Sequence, residues 1–187
     1  MDGEESHVKG GRVGKVPTQL IYGDDGQVVA FGTGCRDQDN TEKNFKICFP
    51  KTDLNEANTG TPSINKLITD YFHHFCDHVL DEIVKRENTT RESLEVEWHL
   101  TTPAWRTNTR LDFKMLVSKV LLELLPSCKI VVEVTEALTS CEFLMKEIKF
   151  PDGAWIITCD IGGATIDTAL CNCTRPSFHC NANVVGR

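Results

Sequence analysis

Trp155-Ile156-Ile157-Thr158-Cys159-Asp160-Ile161-Gly162-Gly163-Ala164-Thr165-Ile166-Asp167 is an apolar strand that runs into an acid, turns through small residues and leaves as a second strand. Gly162 and Gly163 can take positive φ and bring backbone N–H donors close to an anion, in a concavity that a Cβ would obstruct. Thr165 adds a hydroxyl donor, and Asp160, at the end of the strand, can orient a magnesium-bound water. A plain glycine-turned β-hairpin shares this local pattern, so the rest of the chain decides between a phosphate loop and an ordinary turn.

Away from this stretch the chain alternates helical and extended patterns without internal repeats. Residues 17–22 and 27–31 alternate as a hairpin around Asp24-Asp25-Gly26. Residues 36–60 are polar and read as a loop around a short strand at Phe45–Phe49. Thr61 can cap, and Pro62 open, an amphipathic helix reaching Lys85, with Ile64, Leu67, Ile68, Tyr71, Phe72 and Phe75 at three- and four-residue spacing. Leu94, Val96, Trp98 and Leu100 alternate with Glu95, Glu97 and His99, which predicts a strand with one buried face. A helix over Asn108–Leu125 follows and stops at Pro126. Residues 129–134 and 154–159 suit buried strands, with a helix between them at Glu136–Lys146 and a last strand over Thr165–Cys173.

Several segments resemble, in order, the actin-like ATPase superfamily, and within it the heat-shock protein 70 family of the divergent fungal type. Val16-Pro17-Thr18 and the following hairpin are similar to the family's VPT strand, and Phe45-Lys46-Ile47 to its fKL segment. Thr101-Thr102-Pro103-Ala104-Trp105 resembles the strand ending TVPAxW, Thr135-Glu136-Ala137 resembles EPEAAA, and Asp160–Asp167 resembles the second phosphate loop, DxGGGTxD. The resemblance spans residues 16–172. It implies an RNase H-like lobe, a mixed β-sheet with packed helices, here incomplete: residues 1–15 are a polar arm, and 16–187 a partial nucleotide-binding domain lacking the first phosphate loop and the second lobe.

The same resemblance implies a site for ATP or ADP with Mg²⁺. Asp160 matches the acid that holds hydrated magnesium, and Gly162, Gly163, Ala164 and Thr165 match the loop around the β- and γ-phosphates. Glu136 resembles the glutamate near the attacking water, and Lys46 the lysine near the γ-phosphate. These residue types suit phosphoryl transfer, which needs charge neutralisation, in-line positioning and an oriented water. Glu136 equally suits a helix N-terminal acid favoured by the macrodipole, and Lys46 a surface lysine. Ala164 stands where the family has a third glycine; at positive φ it would cost about 1 kcal/mol, and its methyl would crowd a phosphate.

Composition bounds the remaining possibilities. The chain has 187 residues, 40% of them hydrophobic, enough for one domain with a sizeable core. A net charge of −7 and a pI near 5.4 argue against a nucleic-acid binder. The first fifteen residues have no apolar core of a signal peptide, and no run approaches the ~18 apolar residues of a membrane helix. The expected compartment is therefore the cytosol, where most of the nine cysteines should be free thiols. Cys171, Cys173, His179 and Cys180 could gather zinc, but Cys-x-Cys is not the usual knuckle spacing. His74 and His78, one helical turn apart, lack further ligands and read as a solvated face, with Cys76 in the packing.

The functional expectation is an Hsp70-like ATP-binding fragment of chaperone-type ancestry that contacts phosphate through Asp160–Thr165, hydrolysing ATP only if its missing parts are supplied. Two alternatives stay open: a nucleotide-independent interaction scaffold, whose client or partner is not readable, and a truncated gene product.

Overall fold

The structure, a computed structural model, describes residues 16–35, 40–49, 62–103, 105–132, 135–161, 166–174 and 177–184, with the side chains of all but 46, 47, 146, 161, 166, 174 and 177–184. Its class is α/β. Among the described residues the strands divide among three small sheets where the sequence suggested one mixed sheet.

The N-terminal hairpin forms as the alternation predicts. Strands β1 (Gln19–Tyr22) and β2 (Val28–Phe31) pair antiparallel. Gly26 takes φ +73°, and the Gln27 N–H donates to Asp25 Oδ1 at 3.0 Å, closing the turn. A third strand, β3 (Thr41–Lys43), pairs with the other edge of β1, so Leu20 and Ile21 on the central strand are buried.

The strand expected at Phe45–Phe49 is instead one turn of helix, α1 (Phe45–Cys48). Asn44 sits in the left-handed region at φ 58°, which ends β3 and turns the chain. Phe45 and Phe49, one helical turn apart, are both buried; Phe45 meets Tyr71, and Phe49 meets Trp105 and Phe113. Aromatic burial overrides the β preference of an isolated apolar pentapeptide.

Helix α2 (Ile64–Glu87) is the longest element. The expected cap, Thr61, lies outside the described residues. The cap is Ser63, whose side chain accepts from the Lys66 N–H at 3.3 Å, and the helix passes Lys85 to stop at Asn88, left-handed at φ 49°. Its stripe of Leu67, Ile68, Tyr71, Cys76 and Leu80 is buried against α3 (Thr107–Leu124), which contributes Phe113, Val117, Val120 and Leu121. Tyr22 donates to Asp70 at 2.8 Å and Lys66 reaches the same carboxylate at 2.6 Å, tying the hairpin to α2.

Strand β4 (Glu97–His99) is shorter than its alternation predicts, although Val96 O accepts from the Lys129 N–H and the Leu100 N–H donates to Val131 O, each at 2.9 Å; a 3₁₀ turn at Arg91–Ser93 precedes it. Arg91 is held on α2 by Asp77 at 2.7 Å and by Asp81. Strand β5 (Lys129–Val131) pairs parallel with β4, and a bridge between Thr102 and Thr135 continues that pair. With α3 as the crossover, this is a βαβ unit.

Helix α4 (Glu136–Glu147) then leads to an antiparallel sheet of β6 (Trp155–Ile161), β7 (Ile166–Thr174) and β8 (Ser177–Val184). No strand was expected at β8, which pairs with β7 along its whole length. Nor is β6 buried on both faces as its β-branched run suggests. Ile156 and Thr158 lie under α4, while Trp155 and Ile157 are 66% and 73% exposed, because α4 covers one side of the sheet. Ala137, Cys141, Ile156, Ala169, Cys171 and Cys173 form this separate small core. Among the described residues, no helix is long and apolar enough to cross a membrane.

Candidate functional site

The continued parallel pair positions the first turn of α4. Thr135 and Thr102 are buried partners in the bridge; the Thr135 hydroxyl accepts from the Leu138 N–H at 3.3 Å, and the Glu136 N–H donates to Thr102 O at 2.9 Å. Glu136 is thereby fixed at the helix N-terminus, so its macrodipole role and a site role fall on one residue. From the other side, the Thr158 hydroxyl donates to Ala137 O at 3.0 Å and draws β6 against the same turn.

Between α4 and β6 lies a cleft of about 810 Å³. Glu136, Thr139, Ser140 and Phe143 line it from one stripe of α4, and Ile157, Thr158, Cys159 and Asp160 from the end of β6, with Thr101 closing one side. The structure thus brings Glu136 and Asp160, 24 residues apart in sequence (160 minus 136), to one cavity. The volume lies in the range of small-molecule sites. The Thr139 and Ser140 hydroxyls donate back to Thr135 O and Glu136 O, which leaves oxygen lone pairs available on this wall.

Asp160 is exposed, and its partner directly across β7 is Asp167, which is 2% exposed with Oδ1 bonded to nothing. Facing carboxylates repel across a strand pair, and a buried oxygen without a donor is costly. A hard cation relieves both problems, and carboxylate oxygen is the donor magnesium prefers. The described residues hold no group of three or more His, Cys, Asp or Glu that could cage a metal. The donors therefore fit magnesium, which keeps several waters and takes one or two carboxylates plus substrate phosphates, and do not fit a metal needing an all-protein cage.

The loop residues Gly162, Gly163, Ala164 and Thr165 lie outside the described residues. Lys46 is in α1, against α2, and its side chain is likewise outside. Asp167 and the Thr139–Ser140 wall were not singled out by sequence. Their signals were present, since Asp167 is the last acid of the DxGGGTxD pattern and 136, 139, 140 and 143 follow helical spacing.

The other sequence candidates resolve differently. Cys171 is disulfide-bonded, an exception to the expectation that most of the cysteines are free thiols, which removes it as a thiolate for zinc; the backbone register sets it opposite Cys180. Cys35, Cys48, Cys76, Cys128, Cys141, Cys159 and Cys173 are free. Cys76 packs in the core, its thiol pushed up to about 12 by burial. His74 and His78 are more than a solvated face, because both rings contact Phe31, at 5.9 and 6.0 Å between centroids. Compared with known proteins, the chain matches no protein-family profile, and no curated protein aligns with it significantly.

Proposed function

We propose that the chain is a nucleotide-phosphate-binding lobe of the actin-like ATPase kind, with an RNase H-like arrangement and Hsp70-like, chaperone-type ancestry. One observation carries this reading: Asp160 and Asp167 face each other across β6–β7, at the end of a cleft to which α4 brings Glu136. The sequence between the two acids, Gly162 to Thr165, is the small-residue turn that suits a phosphate.

Bound magnesium would supply charge neutralisation for phosphate oxygens and for the two carboxylates. Asp160 would hold the ion through its waters, and the buried Asp167 would gain the partner its free oxygen lacks. Glu136, held through its N–H on Thr102, accepts a hydrogen bond from a water in the cleft and aligns it. The residues described supply one side of a phosphate cradle, so the proposal is binding first, with hydrolysis dependent on groups supplied by another lobe or chain.

Calorimetric titration with magnesium-ATP tests it, alongside Asp160→Asn and Asp167→Asn variants checked for folding by circular dichroism. Saturable binding weakened at least tenfold in each variant is the expected result. A folded wild-type chain with no magnesium-ATP binding removes the reading. It would leave the interaction scaffold, which the exposed Trp155, Ile157 and Leu170 on the uncovered face of the same sheet favour.

A further inference from the structure

A second cleft, of about 310 Å³, lies between the first two turns of α3 and the end of β5, lined by Thr107, Arg110, Leu111, Lys114 and Val132. It shares no lining residue with the cleft at Asp160. The four helical residues stand three and four apart, so they form one stripe of α3. Arg110 and Lys114 are both half-buried, one turn from each other, and among the described residues neither side chain has a hydrogen bond or ion pair. The Arg110 Nε is fully buried and donates to nothing.

That arrangement is unusual in this chain, which has 27 acidic and 20 basic residues. The nearest acid on the helix, Asp112, is exposed and lies off the stripe. Two cations one turn apart repel each other, and among the described residues nothing compensates their partial burial. The helix start adds to the deficit of negative charge: Arg106 occupies the cap position and makes no side-chain cap, so the first-turn N–H groups receive no side-chain acceptor there. The cleft also sits beyond the carboxyl end of β5 in the parallel β4–β5 pair, the end at which α/β units hold ligands.

We infer that this cleft binds a phosphate dianion, free or carried as the monoester of a small molecule. Its oxygens take the fork of Arg110 and the ammonium of Lys114, with the Thr107 hydroxyl and the first-turn N–H groups of α3 completing the shell. The size of the cleft is at the lower end for small-molecule sites, which suits a phosphate with a short organic group and excludes a nucleotide triphosphate.

The test is titration of the full chain with inorganic phosphate and with glycerol phosphate at constant ionic strength, read by ³¹P line broadening and thermal shift. Wild type, Lys114→Gln, Arg110→Gln, Arg110→Lys and Asp160→Asn are compared, each checked for native circular dichroism. The expected result is saturable phosphate binding, with the apparent Kd raised at least tenfold by Lys114→Gln or Arg110→Gln, partly restored by Arg110→Lys and unchanged by Asp160→Asn. Tighter binding of glycerol phosphate assigns the ester, and equal binding assigns the free ion. A response equal to that of chloride overturns the inference. So does a phosphate response that Asp160→Asn abolishes and folded Lys114→Gln retains, which would place the ion in the other cleft and leave the proposed function standing.

Discussion

Asp160 and Asp167 are direct cross-strand partners with opposite surroundings: Asp160 faces solvent at the mouth of a cleft, and Asp167 is buried with one carboxylate oxygen unpaired. Like charges held opposite each other lower the stability of a strand pair unless a cation lies between them. Asp167→Asn is therefore expected to stabilise the metal-free chain by about 1 kcal/mol. Urea unfolding in chelator checks this. Millimolar magnesium should raise the midpoint of wild type and leave that of the variant unchanged.

The side-chain caps of α2 and α4 separate stability from site function. Ser63 caps α2 and Thr135 caps α4 in the same way, each accepting a backbone N–H at 3.3 Å. Replacing either by alanine should cost about 1 kcal/mol in denaturant unfolding. Only Thr135→Ala should also weaken magnesium-ATP binding, because Thr135 sets the turn that holds Glu136. Equal binding in the two variants would detach α4 from the site.

Elements whose partners lie close in sequence were legible before folding was known. The β1–β2 hairpin, α3 and α4 fall within two residues of their predicted bounds, since each is fixed by its own alternation, caps or proline. Distant partners decided the rest. Phe45 and Phe49 became a helical turn because Tyr71, Trp105 and Phe113 receive them. Strand β6 kept an exposed apolar face because α4 covers only one side. In the site, residue types near the turn could be read directly. That Glu136 and Asp160 share one cleft depends on the Thr158 bond to α4 and the Thr102–Thr135 bridge, which no local pattern announces.

His74 makes stability fall in mild acid. Burial, and then the neighbouring His73, push its imidazole below the ordinary histidine range, while Asp70 and Asp77 oppose the shift. With the folded value depressed, the unfolded chain binds the proton more readily. The contribution is thus complete above the unfolded value near 6.5 and is lost as pH falls from there through the lower folded value. Unfolding midpoints between pH 8 and 5 should decline, and His74→Gln should flatten part of that decline.

At alkaline pH the two tyrosines act together. Burial raises both phenols, and for Tyr22 the hydrogen bond to Asp70 adds to the effect. A raised acid is stabilising below its unfolded value near 10 and loses that contribution as pH rises. Absorbance at 295 nm should show no tyrosinate until the far-ultraviolet circular dichroism signal also falls. Phenol ionisation in a chain that keeps its helices would contradict the burial of Tyr22 and Tyr71.

Cys159 reports on the cleft directly. It is a free, exposed thiol on β6, next to Asp160 and lining the cavity, whereas Cys76 and Cys141 are buried and their thiols are raised by desolvation. The thiolate is the reactive form and must be reached by the reagent, so exposure favours attack at Cys159, while burial protects Cys76 and Cys141. Brief maleimide treatment of the native chain, mapped by mass spectrometry, should label Cys159 and Cys48 at least tenfold faster than Cys76 or Cys141. Saturating magnesium-ATP should then slow Cys159 and leave Cys48 unchanged, because a nucleotide phosphate held between Asp160 and Glu136 covers one thiol and not the other. Unaltered labelling of Cys159 under conditions where calorimetry shows the nucleotide bound would mean that it sits elsewhere on the molecule.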